Sequence, residues 1–589
     1  MAATPVNFSP ARLRNAPSPK ICATNSQLSQ SKVKKDKPTQ TLKTTMNIQR
    51  LFLSAMLATA SLMAVGAGKQ TDATSQTMTA ERKVAFAERL IESYYIDDVD
   101  SDKLAEEAIV AMLKTLDPHS SYTDPEATKA MTTPLDGNFS GIGIQFNMIN
   151  DTLYVIQPTA GGPSEKVGIL PGDRIISANS TAISGAGKTN AEIMKLLRGT
   201  KGTTVDVAVL RKGVAKPINF RIVRDDIPVN SVDAAFMADA TTGYIRLTRF
   251  AETSDKEITE AMKKLRKLGM KNLILDLEDN GGGYLSAATA IAGHFLRKGD
   301  SVTYTESPKL GTTFYDVKAD GDFLSGRIVL MVNQYSASAA EILSGSIQDN
   351  DRGLIVGRRT FGKGLVQRPF PFPDGSMVKL TVSRYHTPSG RVIQKPYTKG
   401  KADDYRMDIA NRYDNGEFLS SEKISFPDSL KFHTLKNART VYGGGGIMPD
   451  LFVPIDTVPY TDYYRDLVAK GVLNKTALNY VDNNRSTLKS TYPTVETFIA
   501  GFKVPDALVQ KVVSQGKTDG VQPNTKQLER SRRLITIILK GLIARDIFDS
   551  ESYYRVVNPQ LNPIYKAALD LINDSAQYQR LLYGANTNR

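Results

Sequence analysis

Between residues 240 and 455, short apolar runs alternate with helical stretches, and this pattern constrains the chain more than any other feature. The runs are Gly243–Leu247, Asn272–Leu277, Arg327–Val332 and Leu354–Val356; the stretches between them are Ser254–Leu268, Ala287–Leu296 and Ala339–Gln348. Strands that take turns with helices of this length form an α/β core, a sheet covered by its own connections. The expected core spans residues 226–455.

The flanks read differently. Residues 77–130 are helical, with apolar positions at three- and four-residue steps in Val84–Ile91 and Leu104–Leu113. Residues 135–225 carry short β-like runs punctuated by Gly and Pro: Gly141–Phe146, Thr152–Ile156, Arg174–Ser177, Val205–Leu210 and Pro217–Val223, with one helix at Asn190–Arg198. They make a β-rich module of ordinary domain size. Residues 460–589 turn helical again, most clearly over Thr525–Phe548.

Composition bears on where the chain works. Of 589 residues, 41% are hydrophobic and 23% charged, which excludes collagen-like, disulfide-stapled and wholly disordered classes. The net charge of +14 suggests a polyanionic partner until its distribution is considered: residues 1–45 alone carry +7. That polar stretch is expected to be a non-native or disordered leader, with translation starting at Met46. Residues 46–67 then form a signal peptide: Arg50, an uncharged run from Leu51, and small residues ending at Ala67. An uncleaved segment would instead anchor the protein to a membrane. Cleavage leaves 66 basic against 60 acidic residues and removes Cys22, the only cysteine. The expectation is an exported protein of the periplasm or cell envelope, with no disulfide framework, no Cys nucleophile and no nucleic-acid partner.

Three stretches of the α/β block sit on turns after strands, where such folds keep their chemistry. Asp276–Gly283 ends in three glycines, which allow positive φ and expose backbone N–H groups, or simply make a tight loop. Ser336 and Ser338 lie where a strand passes into a helix; each is a candidate nucleophile, although N-capping is the commoner role for a serine so placed. Gly357–Gln367 nearly matches a phosphate-binding loop, but Gly364 replaces the Mg²⁺-binding hydroxyl, and Pro369, Pro371 and Pro373 force extended chain where a helix should follow. The four histidines adjoin no recognisable Ser motif, and no metal-hydrolase helix is present. A serine can instead be activated by a neutral lysine. Lowering a lysine from about 10.4 to about 7–8 costs roughly 3–5 kcal/mol. Lys363, among glycines and apolar residues, is the candidate.

Ser336-Ala-Ser338-Ala-Ala-Glu341 followed by Thr360-Phe-Gly-Lys363-Gly-Leu-Val-Gln367 resembles the carboxyl-terminal processing peptidases, or tail-specific proteases. Leu116–Tyr122, Gly243–Arg246, Thr387–Gly390 and Gly446–Asp450 resemble the same family. The resemblance implies a ClpP/crotonase-like α/β peptidase core with an inserted PDZ domain over residues 135–225. It implies Ser338 as nucleophile, Lys363 as general base, Gln367 as its support, and an oxyanion hole at Ala339, Gly282 and Gly283. In the PDZ domain, Gly141, Ile142, Gly143 and Ile144 stand at the carboxylate-binding loop, so polypeptides with apolar C-termini are the implied partners. No metal or other cofactor is implied, and pairing of protomers through the outer helices is a family expectation. This chain departs from the family in having Glu278 for the usual Arg and Gly281 for the usual Pro. The competing reading is a non-catalytic PDZ scaffold on the same fold, which need not keep both Ser338 and Lys363.

Overall fold

The computed structural model describes residues 78–584, so the basic leader, the signal segment and Cys22 lie outside the described residues. The chain divides into two compact units, one described over residues 78–108 and the other over 109–584. In the first, α1 (Ala80–Tyr94) starts at Thr79, whose hydroxyl accepts from the Arg82 N–H, and it buries none of its side chains. After a polar connector, α2 (Ser101–Lys114) begins.

In the second unit, the β-rich module is an antiparallel sheet of β1 (Ile144–Ile149), β2 (Thr152–Pro158), β3 (Arg174–Ala178), β4 (Thr204–Leu210) and β5 (Ile218–Val223), adjacent in that order. β4 shows the period of a half-buried strand: Val205, Val207 and Val209 point into the module's core while Thr204 and Asp206 face out. Helix α3 (Asn190–Leu197) starts in a capping box, with the Glu192 N–H donating to the Thr189 hydroxyl and the Thr189 N–H to the Glu192 carboxylate.

The core sheet runs β6 (Val232–Met237), β7 (Thr242–Leu247), β8 (Asn272–Asp276), β9 (Ile328–Val332), β10 (Leu354–Gly357) and β11 (Leu451–Phe452). Only the β6–β7 pair is antiparallel. β8 and β9 are almost wholly buried, as parallel strands covered on both faces must be. Leu273, Leu275, Leu330 and Val332 face α4 (Ser254–Lys267), α5 (Leu285–Gly293) and α6 (Ala339–Asp349). Ile274, Val329 and Met331 face the opposite way, against α9 (Pro563–Asn573) and α10 (Ser575–Tyr583). One face is thus covered by the crossover helices and the other by residues from far along the chain.

A second, antiparallel sheet joins Ser121–Thr123, Met377–His386, Ser301–Ser307 and Gly311–Asp316, with Leu365–Pro371 added to Met377–His386. The sequence pattern did not disclose this sheet as a unit, although the prolines correctly marked Leu365–Pro371 as extended. That strand pairs on one side only, where Pro369 and Pro371 cost no ladder hydrogen bonds to a second neighbour. A helical bundle that includes α7 (Val472–Thr491) and α8 (Thr525–Ile547) has its own core and touches the β-rich module. Leu478 packs on Ile149 and Ile156, Arg174 pairs with Asp482 at 3.2 Å, and Gln157 donates to the Phe548 carbonyl at 2.7 Å.

Candidate active site

The turn from β9 into α6 decides between the two serines. Ser336 is used structurally: its hydroxyl donates to the Leu277 carbonyl at 2.7 Å and accepts from the Asn333 N–H at 2.9 Å. Ser338 stands immediately before α6 at φ 57, ψ −114, outside the regions that L-residues favour. Strain of this kind costs about 1–3 kcal/mol and persists where surrounding bonds over-determine the backbone.

Those bonds converge on Glu341, one turn into α6 and fully buried. Its carboxylate accepts from the Thr360 hydroxyl at 2.5 Å and the Gly362 N–H at 2.7 Å. It also accepts from the Lys363 N–H at 2.8 Å and the Ser338 N–H at 2.9 Å. Tyr385, reaching in from the antiparallel sheet, donates to the Lys363 carbonyl at 2.6 Å and lies 3.3 Å from the Ser338 carbonyl. Two side chains therefore tie residues 338 and 363 together through their backbones. Sequence reasoning quoted Glu341 within a motif but gave it no role, and it missed Tyr385, which lies 47 residues from Ser338.

The glycine turn completes the pocket. Asn280 anchors it, with its side chain donating to the Leu247 carbonyl and its own carbonyl accepting from the Ala337 N–H at 2.9 Å. Gly282 has φ +101, and a Cβ built on it would lie 2.8 Å from both the Ala337 carbonyl oxygen and the Ser338 Cβ. Only glycine fits that approach. The Gly282 N–H is occupied by the Asn280 side chain at 2.9 Å. The Gly283 and Ala339 N–H groups have no acceptor among the described residues, so of the three expected donors these two are available to an oxyanion. Gly282→Ala is expected to lower kcat/KM by about 100-fold or more, because the added methyl would push the nucleophile turn, Ala339 included, away from the Gly283 N–H; steady-state kinetics at wild-type levels would contradict the packing.

Electrostatics make Lys363 easier to deprotonate than an ordinary lysine. Burial, reinforced by the nearby Lys379 ammonium, lowers its pKa to about 8 against the opposing pull of Glu341 and Asp117. His119 is pushed down to about 4 by burial and by Lys363, so it stays uncharged at neutral pH; its Nε2 lies 3.0 Å from the Tyr405 hydroxyl. The Gln367 side chain donates to the Leu365 carbonyl and the Thr381 hydroxyl, and Thr381 passes the chain on to Asp117 at 2.9 Å. In this structure the hydrogen bonds of Gln367 run to that network and not to Lys363.

Glu278, the departure from the family pattern, is buried, accepts from Asn562 at 2.7 Å, and has its pKa raised to about 8 by burial and by the neighbouring Asp276. In the β-rich module, Gly141 closes a strand paired with Asp225. The Ile142 carbonyl accepts from both the N–H and the hydroxyl of Ser164. Gly143, at φ +72, turns the chain into Ile144 and β1. β1 pairs only with β2, leaving one edge open to an added strand.

Comparison with known proteins agrees with this architecture. The family described as "Peptidase family S41" matches residues 241–407, and "PDZ domain" matches residues 140–222. "Activating protease CtpB N-terminal domain" matches residues 26–127, and a family of unknown function matches residues 463–549. The carboxy-terminal processing protease CtpA of Bacillus subtilis is 35% identical over 352 residues, covering 58% of this chain and 74% of the relative. The carboxy-terminal-processing protease of Bartonella bacilliformis is 34% identical over 348 residues, covering 58% and 79%. CtpB of B. subtilis is 35% identical over 339 residues, covering 56% and 69%. With a PDZ domain beside its peptidase core and relatives matched over most of their own length, the chain belongs to the carboxy-terminal processing serine proteases of peptidase family S41.

Proposed function

We propose that this protease cleaves by a Ser338–Lys363 dyad through an acyl-enzyme. Lys363, as the free amine, takes the Ser338 proton; Ser338 attacks the scissile carbonyl; the Ala339 and Gly283 N–H groups hold the oxyanion; the protonated Lys363 then gives its proton to the leaving amine, and water releases the acyl group. The shared anchoring of residues 338 and 363 by Glu341 carries this reading. Gln367, with Thr381 and Asp117, braces the strand that follows Lys363. The open edge of β1 beside the Gly141–Ile144 turn supports capture of an apolar polypeptide C-terminus by strand addition. The protein acts after export, in the periplasm or cell envelope; among the described residues no helix is long and apolar enough to cross a membrane. Pairing of protomers belongs to the same reading.

A serine-reactive phosphonate should label Ser338, with labelling and kcat/KM both rising through an acid limb near pH 8, where Lys363 loses its proton. Lys379→Met removes the second ammonium, so the Lys363 pKa should rise and the limb should move to higher pH. Labelling at another residue, or a limb that moves to lower pH in Lys379→Met, would overturn the dyad.

A further inference from the structure

A cavity of about 1930 Å³ opens between the PDZ domain, the peptidase core and the helical bundle. At one end it is lined by the PDZ groove, with Ile142, Gly143 and Ile144 on one side and Met194 of α3 on the other. At the other end it reaches Asn333, Gln334 and Tyr335, on the turn that leads to Ser338. A polypeptide held by its C-terminus in the groove faces this space, which reaches the turn that carries Ser338 although Ser338 itself is not part of the walls.

The walls are basic. Arg198, Arg249, Arg358, Arg530 and Arg533 line the cavity, and none has a carboxylate within ion-pair distance among the described residues. Arg249, Arg530 and Arg533 donate only to backbone carbonyls, of Asn230, Val458 and Gln560. Arg358 is the most telling, being only 7% exposed. Its Nε donates to the Gln334 side chain at 2.9 Å and its Nη1 lies 3.4 Å from the Val453 carbonyl. Glu278 and Asp279 attract the guanidinium from nearby, and Nη2 is not among the buried polar atoms left without a partner. The same walls hold four acids, Asp233, Glu278, Asp279 and Asp456. Asp279 is already engaged by Asn333 and Arg246, while Asp233 and Glu278 are pushed up by burial.

We propose that this cavity selects substrates carrying acidic residues between the PDZ-held C-terminus and the scissile bond. The inference rests on the dyad and groove assignments above and adds a substrate class to them. Cations lining a cleft focus their field into it, so an acidic segment is drawn in and held while a basic one is repelled. An acidic side chain of the substrate would give Arg358 a charged hydrogen-bond acceptor, which neither Gln334 nor the Val453 carbonyl provides.

The test uses the full chain and three fluorogenic peptides with one apolar C-terminal tail and one scissile segment, joined by a Glu, Gln or Lys spacer. The expected order of kcat/KM is Glu, then Gln, then Lys, with about a tenfold step from Gln to Glu that shrinks as salt is raised. Arg530→Glu with Arg533→Glu should abolish or reverse that step. Lys526→Glu, the same charge change on α8 outside the cavity, should retain it. Equal rates with the Glu and Gln spacers, or a step undiminished in the double variant, would overturn the proposal. If wild type cuts all three equally and Ser338→Ala cuts none, only the charge selection fails; cleavage surviving in Ser338→Ala would overturn the dyad reading itself.

Discussion

Ser338→Ala is expected to lower kcat/KM by about 10³–10⁶-fold with the melting temperature within a degree or two of wild type, and Lys363→Ala should fall in the same range. The two losses should not add. A hydroxyl without its base and a base without its hydroxyl are equally unable to open the acyl-transfer path, so the double variant should be no worse than the poorer single one. Single-turnover kinetics with a C-terminally tagged protein would measure this, and circular dichroism would establish that the fold is kept. A Lys363→Ala enzyme within tenfold of wild type would show that another group takes the proton.

The second large effect belongs to Glu341. Glu341→Ala removes one carboxylate from four donors: the buried Thr360 hydroxyl and Gly362 N–H, and the partly buried N–H groups of Lys363 and Ser338. At about 1–3 kcal/mol for each buried group left unpaired, the fold should lose at least about 2 kcal/mol, and activity should fall with it because the two dyad residues share that anchor. Glu341→Gln separates position from charge. It keeps an acceptor, so the loss in stability should be smaller. It also removes an anion that raises the Lys363 pKa, so the acid limb of the rate profile should shift to lower pH. Thermal unfolding and pH–rate profiles of both variants check this, and an unchanged melting temperature in Glu341→Ala would refute the anchoring role.

The strand–helix alternation was legible because each element has its own period and punctuation. Predicted and observed limits differ by only a few residues for β7 to β10 and for α4 to α6. The antiparallel sheet behind the site was not legible, because its strands are scattered from Ser121 to His386 and pair across long separations that no local pattern encodes. Ser338 and Lys363 could be singled out from motif and chemistry. Glu341 was quoted within a motif without a role, and only the folded chain shows it reaching back to residue 338 and across to residues 360–363. Glu278 was visible as an exception, but its environment depends on Asn562, 284 residues away. The basic cavity escaped notice because its arginines come from three separate regions, and their common sign appears only once those regions meet.

The cover that α9 and α10 give to β7–β10 has a consequence for biogenesis. Tyr244, Ile274, Val329 and Val356 are shielded by Ile564, Tyr565, Leu571 and Tyr578, so a nascent chain halted short of residue 560 would hold a complete nucleophile turn on a half-naked sheet. Closing the second face of the sheet therefore waits for a segment translated long after the nucleophile turn, so the core cannot be completed strand by strand as it emerges.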